Sequence, residues 1–379
     1  MFRNNTTFII GAGASAEFGL PVGSGLAKLI KKRAFCADDG GRLLRPVDKF
    51  LFELLVDHVG RKDLEAAIYP LSTIEQGLHT AVSIDAFIDR FKEDSEIAKL
   101  GKLLIAIEIA DAERKSLMHP SQIELDFGTP HFKSADDTWI GSFVRILLDG
   151  VSDRSKIGNN ITIICFNYDR CIEYYLVNAI ANAYDIDTDE AEDIVSGMNI
   201  IHPYGTLGDL PWAANGNGSD VLQFGPDLDL YTSWFEIAKN NIRTYTEQKH
   251  DVTRTIAIHD AVGRSNVLVF LGFGFNNQNF DLLRVKEFSD YNSNPRSVYL
   301  TGIGISQQVS ATLKRRIGNL FANYDSMKAE WAANIHIEYD QSCSQLFDLH
   351  SMNLSQFVEH YFDHEAGIVR RGTKSTPES

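Results

Sequence analysis

Short apolar runs separated by longer amphipathic stretches organise this chain. Most of the runs are almost continuously hydrophobic, as in strands that are covered on both faces. Helical stretches lie between them, and this alternation predicts an α/β fold built on a Rossmann-like parallel sheet. The predicted strands are Thr7–Ile10, Ile161–Phe166, Asn199–His202, Val267–Gly272, Ser297–Thr301 and Ile335–Tyr339.

The interval between the first two predicted strands is too long for a single crossover connection. Apolar residues recur with helical spacing in Leu51–Val59, Ile84–Phe91 and Ile97–Ala110. Ser83 stands directly before the second of these stretches, where it could cap a helix. We expect a large helical insertion subdomain here, with a loop over His119–Trp139.

The remaining segments complete the predicted domain organisation. The irregular stretch Gly205–Asp229 is long enough to indicate a functional or mobile loop. Leu346–Phe362 is expected to form closing helices. The predicted units are a discontinuous sheet domain (1–33 and 160–340), the insertion (34–159), C-terminal helices (341–366) and a disordered tail (367–379).

Composition narrows the class of protein. The 379 residues carry a formal net charge of −15, which argues against nonspecific binding of nucleic acid. No apolar run is long enough to span a bilayer, and no signal peptide is visible, so we expect a cytoplasmic protein. The four cysteines form no CxxC pair, which argues against a structural zinc site and predicts reduced thiols.

The first predicted strand ends in Gly11-Ala12-Gly13-Ala14-Ser15-Ala16. A strand, GxGxxA and a helix form the context of a dinucleotide-binding turn, in which Gly13 would let a pyrophosphate approach the backbone. A plain tight turn remains the alternative. No acidic residue follows a second strand at the usual distance, which argues against an ordinary dehydrogenase.

Three further strand ends carry polar residues or glycines. Asn167 and Asp169 follow the second strand, although Asp169 could simply cap the next helix. His202 ends the third strand, a position suited to acid–base chemistry. Gly272 and Gly274 end the fourth; they indicate either a second wall of a dinucleotide site or close backbone packing. Ligands of α/β sheets bind at these carboxyl ends.

Taken together, GAGAS, FNYD, HPYG and GFGF resemble the motifs of the sirtuin-like superfamily. The likeness is closest to sirtuin-like proteins of bacterial anti-phage defence, which hydrolyse NAD+. It implies a sheet of sirtuin type with NAD+ as the substrate. The implied binding residues are Gly11, Ala12, Gly13, Ala14, Ser15, Gly19, Pro21, Gly272, Phe273, Gly274 and Phe275.

Two departures from the deacylases of this superfamily favour the NAD+-hydrolysing branch. The deacylases carry a zinc module with two CxxC pairs, which this chain lacks, and GIPDFR after the first glycines. The matching stretch here is Gly19-Leu-Pro-Val-Gly-Ser24, without Asp-Phe-Arg. The resemblance further implies a homo-oligomer, or a partner such as a HerA-like ATPase or a short Argonaute.

The resemblance also implies roles for three catalytic residues. Asn167 would hold the nicotinamide ribose or the attacking water, Asp169 would orient the ribose, and His202 would be the general base. The nicotinamide ring is a positively charged pyridinium before the bond breaks, so it can leave without taking up a proton. The site must therefore stabilise an oxocarbenium-like centre and place a nucleophile. No metal is expected in this chemistry.

The sequence allows three other functions. The chain could sense NAD+ or ADP-ribose without turnover, or it could be a structural subunit of a defence complex. Protein deacylation is a weaker possibility. Release of nicotinamide from NAD+ separates an enzyme from a sensor, and the product could be ADP-ribose or a cyclised form.

Overall fold

The computed structural model describes most of the chain. The described residues are 1–38, 44–61, 64–91, 93–122, 124–126, 129–131, 133–213, 220–285, 297–321, 332–356, 359–363 and 368–372.

A parallel sheet of six strands forms the centre of the fold, and each strand coincides with one of the six predicted from the sequence. All strand pairs are parallel, and the order across the sheet is β3-β2-β1-β4-β5-β6. This is the order of Rossmann-like folds, in which ligands bind where the direction of strand succession reverses. The strands are β1 (Thr6–Ile10), β2 (Ile161–Cys165), β3 (Ile200–Ile201), β4 (Val267–Leu271), β5 (Ser297–Gly302) and β6 (Ile335–Tyr339).

The three central strands end at one level. Ile10 of β1 lies in register with Cys165 of β2 and Leu271 of β4. The residues that follow continue the pairing, because Phe166 N donates to Ile10 O at 2.8 Å and Gly11 N donates to Leu271 O at 2.9 Å. The polar and glycine-rich segments after these strands are therefore brought to one edge of the sheet.

Alternate residues of the strands enter two separate hydrophobic cores. Ile9 and Ile164 face the core that contains the long helix of the insertion, whereas Phe8 and Ile163 face the opposite core. Every residue of β1 and β4 is buried, as expected for strands covered on both faces.

The described helices cover both faces of the sheet. None of them combines the length and the apolar character needed to cross a membrane. They are α1 (Ala12–Ser15), α2 (Gly23–Arg33), α3 (Lys49–Val59), α4 (Leu64–Gly77), α5 (Ile84–Arg90), α6 (Ser95–Lys115), α7 (Lys133–Asp136), α8 (Trp139–Leu148), α9 (Cys171–Tyr184), α10 (Thr188–Ser196), α11 (Trp234–Asn241), α12 (Tyr245–His250), α13 (Val252–Gly263), α14 (Asn277–Leu283), α15 (Ser310–Gly318) and α16 (Cys343–Leu354). Short 3₁₀ turns occur at Ala16–Phe18, Leu78–Thr80, Pro120–Gln122, Arg154–Lys156, Leu228–Leu230 and Gln307–Val309.

The segment between β1 and β2 is largely helical and packs onto the sheet. Helix α6 shares a core with Ile9 and Ile164, and α8 belongs to the opposite core. The predicted cap is present, since Ser83 Oγ accepts a hydrogen bond from Ala86 N at 3.1 Å at the start of α5. The segment therefore contributes to both cores of the sheet.

Three predictions of local structure were wrong. The C-terminal helices end early: α16 is followed by a strand, Glu359–Asp363, which pairs antiparallel with Ile368–Gly372. Part of the predicted disordered tail is therefore a strand, and residues 373–379 lie outside the described part.

The predicted loop over His119–Trp139 also contains structure, namely α7 and a hairpin of Glu124–Asp126 with Thr129–His131. These strands have three residues each, which is too short for a periodic pattern to appear in the sequence.

Candidate functional site

A cavity of about 580 Å³ lies at the carboxyl ends of the central strands. Its walls include residues that directly follow β1, β2 and β4, at the reversal point of the sheet. A volume of this size is typical of sites for small molecules and cofactors. Residues that line it at the strand ends include Gly11, Asn167, Asp169, Gly272 and Thr301.

The two glycine turns pack against each other. Gly13 N donates to Gly272 O at 2.9 Å, and Gly272 has a φ of +54°. A Cβ atom on Gly13 would lie 2.8 Å from Gly272 Cα, and one on Gly272 would lie 2.0 Å from Ala14 N. Close backbone packing, the alternative left open by the sequence, therefore explains these two glycines.

This packing limits what the first turn can offer to a phosphate. The N–H groups of Gly11, Gly13 and Ala14 all bond to protein carbonyls. Among the described residues, none accepts a hydrogen bond from the N–H of Ala12, and this residue lines the cavity. Gly274 also lines the cavity, and a Cβ there would meet no atom within 4 Å. The backbone that a ligand could approach in these turns is thus at Ala12 and Gly274.

The different surroundings of Gly272 and Gly274 give a direct prediction. Gly272→Ala should lower the free energy of unfolding by more than about 2 kcal/mol, because it combines a positive φ with a backbone clash. Gly274→Ala should change it by less than about 0.5 kcal/mol, as for substitutions that meet open space. Urea unfolding of both variants measures this, and equal losses would contradict the packing described here.

Asn167 and Asp169 are connected through Ser15. Asn167 Nδ2 donates to Ser15 Oγ at 2.8 Å and to Gly11 O at 3.1 Å, and Ser15 Oγ donates to Asp169 Oδ2 at 2.8 Å. Both donors of the Asn167 amide are thus used. Its Oδ1 accepts no hydrogen bond from the described residues, and Asn167 lines the cavity. This carbonyl oxygen is free to act on a ligand.

Asp169 has a second role at the start of α9. Its Oδ1 accepts a hydrogen bond from Cys171 N at 3.2 Å. Asp169 thus satisfies a donor at the start of that helix, which is the capping role that the sequence also allowed. Burial raises the pKa of Asp169 above its ordinary value, although the Ser15 hydroxyl and the Cys171 amide favour the ionised form.

His202 lies apart from the cavity wall. Its Nδ1 is 3.0 Å from the backbone oxygen of Asn167, and its Nε2 is 2.7 Å from Glu173 Oε1. Burial acts to lower the pKa of His202, but Glu173 and Cys165 outweigh it and hold that pKa well above 6.5. A protonated imidazole donates from both nitrogens, and here both have an acceptor.

Two hydrogen-bonded pairs of polar side chains also line the cavity. Tyr168 donates to Asp85 Oδ1, and Asp85 comes from the first turn of α5 in the insertion. Tyr204 donates to Asn279 Oδ1 at 2.9 Å, and Asn279 Nδ2 donates to Gly274 O at 3.1 Å. The second pair fixes the open glycine turn.

The structure brings together most of the binding residues implied by the resemblance. Phe273 lines the cavity and also packs edge-on against Phe166, with ring centres 5.1 Å apart. Lining residues from the implied set are Gly11, Ala12, Gly13, Ser15, Pro21, Gly272, Phe273 and Gly274, whereas Ala14, Gly19 and Phe275 are not among those that line the cavity.

The side chains of the cavity wall are acidic, polar or apolar. Carboxyl groups come from Glu17, Asp85 and Asp169, and none of the described lining residues is Lys, Arg or His. Glu17 is engaged in structure, because its carboxylate accepts from Cys343 N at 2.7 Å and from Trp139 N at 3.3 Å. Within the described residues, no group of three or more His, Cys, Asp or Glu is arranged to hold a metal ion.

Comparison of the chain with protein-family models, with curated proteins and with solved structures gave no match.

Proposed function

We propose that this chain is an NAD+ hydrolase of sirtuin type that cleaves the bond between nicotinamide and ribose. The observation that carries the proposal is the free Oδ1 of Asn167, which lines a cavity at the reversal point of a β3-β2-β1-β4-β5-β6 sheet. Dinucleotides bind at this position in sheets of this order. The resemblance of the four motifs to NAD+-hydrolysing proteins supplies the reaction.

The charges of the cavity wall suit the nicotinamide end of this substrate. Nicotinamide is a cation while it is attached to the ribose, and positive charge develops on the ribose as the bond breaks. A wall with Asp85 and Asp169 and without described cationic side chains favours such charges. The Oδ1 of Asn167 carries a partial negative charge that can act on the same centre.

The roles of the three catalytic residues follow in part from their contacts. Asn167 would contact the nicotinamide ribose or the attacking water through Oδ1. Asp169 would orient Ser15 and, through it, the Asn167 amide. His202, proposed from the sequence as the general base, would hold the backbone of Asn167 in place.

An NAD+ or ADP-ribose sensor is the second candidate function. The engagement of both His202 nitrogens favours it, since that imidazole has no free lone pair for proton abstraction. A third proposal, a structural subunit of a defence complex, would need no ligand at all. Deacylation of proteins ranks below these.

We further propose a cellular role in anti-phage defence by depletion of NAD+ in the cytoplasm. A homo-oligomer, or a complex with a HerA-like ATPase or a short Argonaute, would control the activity. This part rests on the resemblance of the motifs alone. Product analysis in cells that express the chain with its genomic neighbours would test it.

Incubation of the purified chain with NAD+ tests the proposed reaction. We expect equimolar nicotinamide and ADP-ribose, measured by mass spectrometry, together with a thermal shift on addition of ADP-ribose. Binding without nicotinamide release would support the sensor. If the chain neither binds these ligands nor releases nicotinamide, both functions are contradicted.

A further inference from the structure

Asp85 is a carboxyl group of the cavity wall that comes from the insertion. It stands in the first turn of α5, two residues after the capping residue Ser83, and the neighbouring residues Val82, Ser83 and Ile84 line the cavity with it. The cap fixes where the helix begins and hence where Asp85 lies. The insertion therefore supplies a proton-accepting group to a site whose Asn167 and Asp169 follow a strand end.

The hydrolysis rests on a proton acceptor that His202 cannot provide. A water molecule that attacks the ribose must lose a proton, and a base needs a free lone pair to accept it. His202 has both nitrogens engaged and lies outside the cavity wall. Asp169 has Oδ1 and Oδ2 bonded to Cys171 N and Ser15 Oγ, and Glu17 accepts from two helix starts.

One carboxylate oxygen of Asp85 accepts no hydrogen bond from any other described residue. Its Oδ1 accepts from the Tyr168 hydroxyl, and no described side chain donates to its Oδ2. Burial raises the pKa of Asp85 to about 6, although the Tyr168 hydroxyl and the Asp85 backbone N–H favour the charged form. A carboxyl group with this pKa is ionised at neutral pH and still basic enough to accept a proton.

The ionisable groups around Asp85 come from the strand ends, from α6 and α12, and from α5 itself. Tyr168 and Tyr204 face it from the strand ends, and burial raises the pKa of each phenol far above neutrality. Lys102 of α6 and Glu247 of α12 form an ion pair at 2.7 Å. On α5 itself, Asp89 accepts from Thr246 and Gln278, and Arg90 donates to Thr80.

We propose that Asp85 is the general base of the hydrolysis, which extends the function proposed above and rests on it. The bond between ribose C1′ and the nicotinamide nitrogen breaks, and its electron pair stays on the nitrogen, giving neutral nicotinamide. The water oxygen bonds to C1′, and one water proton passes to Asp85 Oδ2. Asp85 then releases this proton to solvent, which leaves ADP-ribose.

Asp85→Asn and Tyr168→Phe test this assignment by their pH profiles. Asp85→Asn should lower kcat by about 100-fold and abolish the acidic limb of the profile, which we expect near the pKa of about 6 of this carboxyl group. Tyr168→Phe removes a hydrogen bond that favours the ionised carboxyl, so the midpoint of that limb should move to higher pH. ADP-ribose binding, measured by calorimetry, should persist in both variants.

Asp89→Asn is the matched control, because Asp89 lies one turn further along α5 and is not among the residues that line the cavity. It should keep both kcat and the acidic limb. Nicotinamide release by Asp85→Asn at the wild-type rate would overturn the role of Asp85 but not the proposed reaction. An acidic limb that Tyr168→Phe does not move would have the same consequence. A wild-type chain that binds NAD+ and releases no nicotinamide would overturn the reaction itself.

Discussion

Asn167→Ala should lower the rate of nicotinamide release by about 100-fold, an effect typical for loss of one preorganised polar group beside a developing charge. The reason is the free Oδ1 of Asn167, which lines the cavity beside the end of β1. The expected loss is in kcat more than in KM, because the contact strengthens as the ribose becomes positively charged. Steady-state kinetics with NAD+ measures both parameters.

The fold of this variant must be tested separately, since Nδ2 of Asn167 bonds to Ser15 and Gly11. We expect a loss of about 1–3 kcal/mol in the free energy of unfolding from these bonds, which leaves a folded protein. Asn178→Ala is the matched control: Asn178 Nδ2 donates to Tyr174 O within α9, away from the cavity. Equal turnover by the two variants would remove Asn167 from the mechanism.

The sheet could be predicted from the sequence because its strands carry a strong and simple signal. Strands buried on both faces need continuous apolar runs, and each of the six runs is a strand within two residues at either end. The order of the strands could not be predicted, because it depends on packing between segments far apart in the chain.

Some elements of the insertion were harder to predict than the strands of the sheet. Helix α4 contains Pro70, and a proline normally argues against a helix interior. Leu71 and Ile74 of the same helix are buried in the core, and this tertiary packing is not visible in the local sequence. The hairpin of Cys36–Asp38 with Leu44–Pro46 has strands of three residues, too short for a pattern. Such elements depend on neighbours that the local sequence does not name.

The candidate site could be predicted only where it follows from the strand ends. Asn167 and Asp169 lie at the cavity because β2 ends just before them. Asp85 was not predicted as a site residue. It belongs to the insertion and precedes Asn167 by 82 positions, yet both residues line the cavity. No local signal distinguishes Asp85 from any other acidic residue in the first turn of a helix.

The position of His202 did have a signal in the sequence. Side chains alternate across a strand, so His202 continues the face of Ile200, which packs in the core that contains Cys165. Ile201 and Tyr204 belong to the other core, together with Phe166 and Phe273 of the cavity wall. Period-two alternation therefore places His202 on the face opposite to Ile201, behind Asn167. Tyr204 lies beyond the end of β3 at Ile201, so the alternation does not extend to it.

Arg170→Met should be among the most destabilising substitutions in the described chain. Arg170 and Glu113 are 2% and 0% exposed, and Arg170 Nη2 lies 2.6 Å from Glu113 Oε2. Removal of the guanidinium leaves a buried carboxylate without its counter-charge, which typically costs about 3–5 kcal/mol. Urea unfolding followed by circular dichroism measures the loss.

The same ion pair ties the site to the insertion. Glu113 belongs to α6 and accepts from the backbone N–H of Arg170, directly after Asp169, at 2.9 Å. Arg170 Nη1 also donates to Leu222 O at 2.8 Å, which anchors the irregular segment after β3. We therefore expect Arg170→Met to weaken ADP-ribose binding at temperatures where the variant is still folded.

A double-variant cycle separates the charge effect from simple loss of packing. Arg170→Met/Glu113→Leu removes both charges, so it should be more stable than Arg170→Met even though it carries one more substitution. Arg154→Ala, which breaks the exposed pair with Glu190, is the control and should cost less than about 1 kcal/mol. If the double variant were less stable than Arg170→Met, an unpaired buried carboxylate would not be the cause, because the second substitution removes that carboxylate.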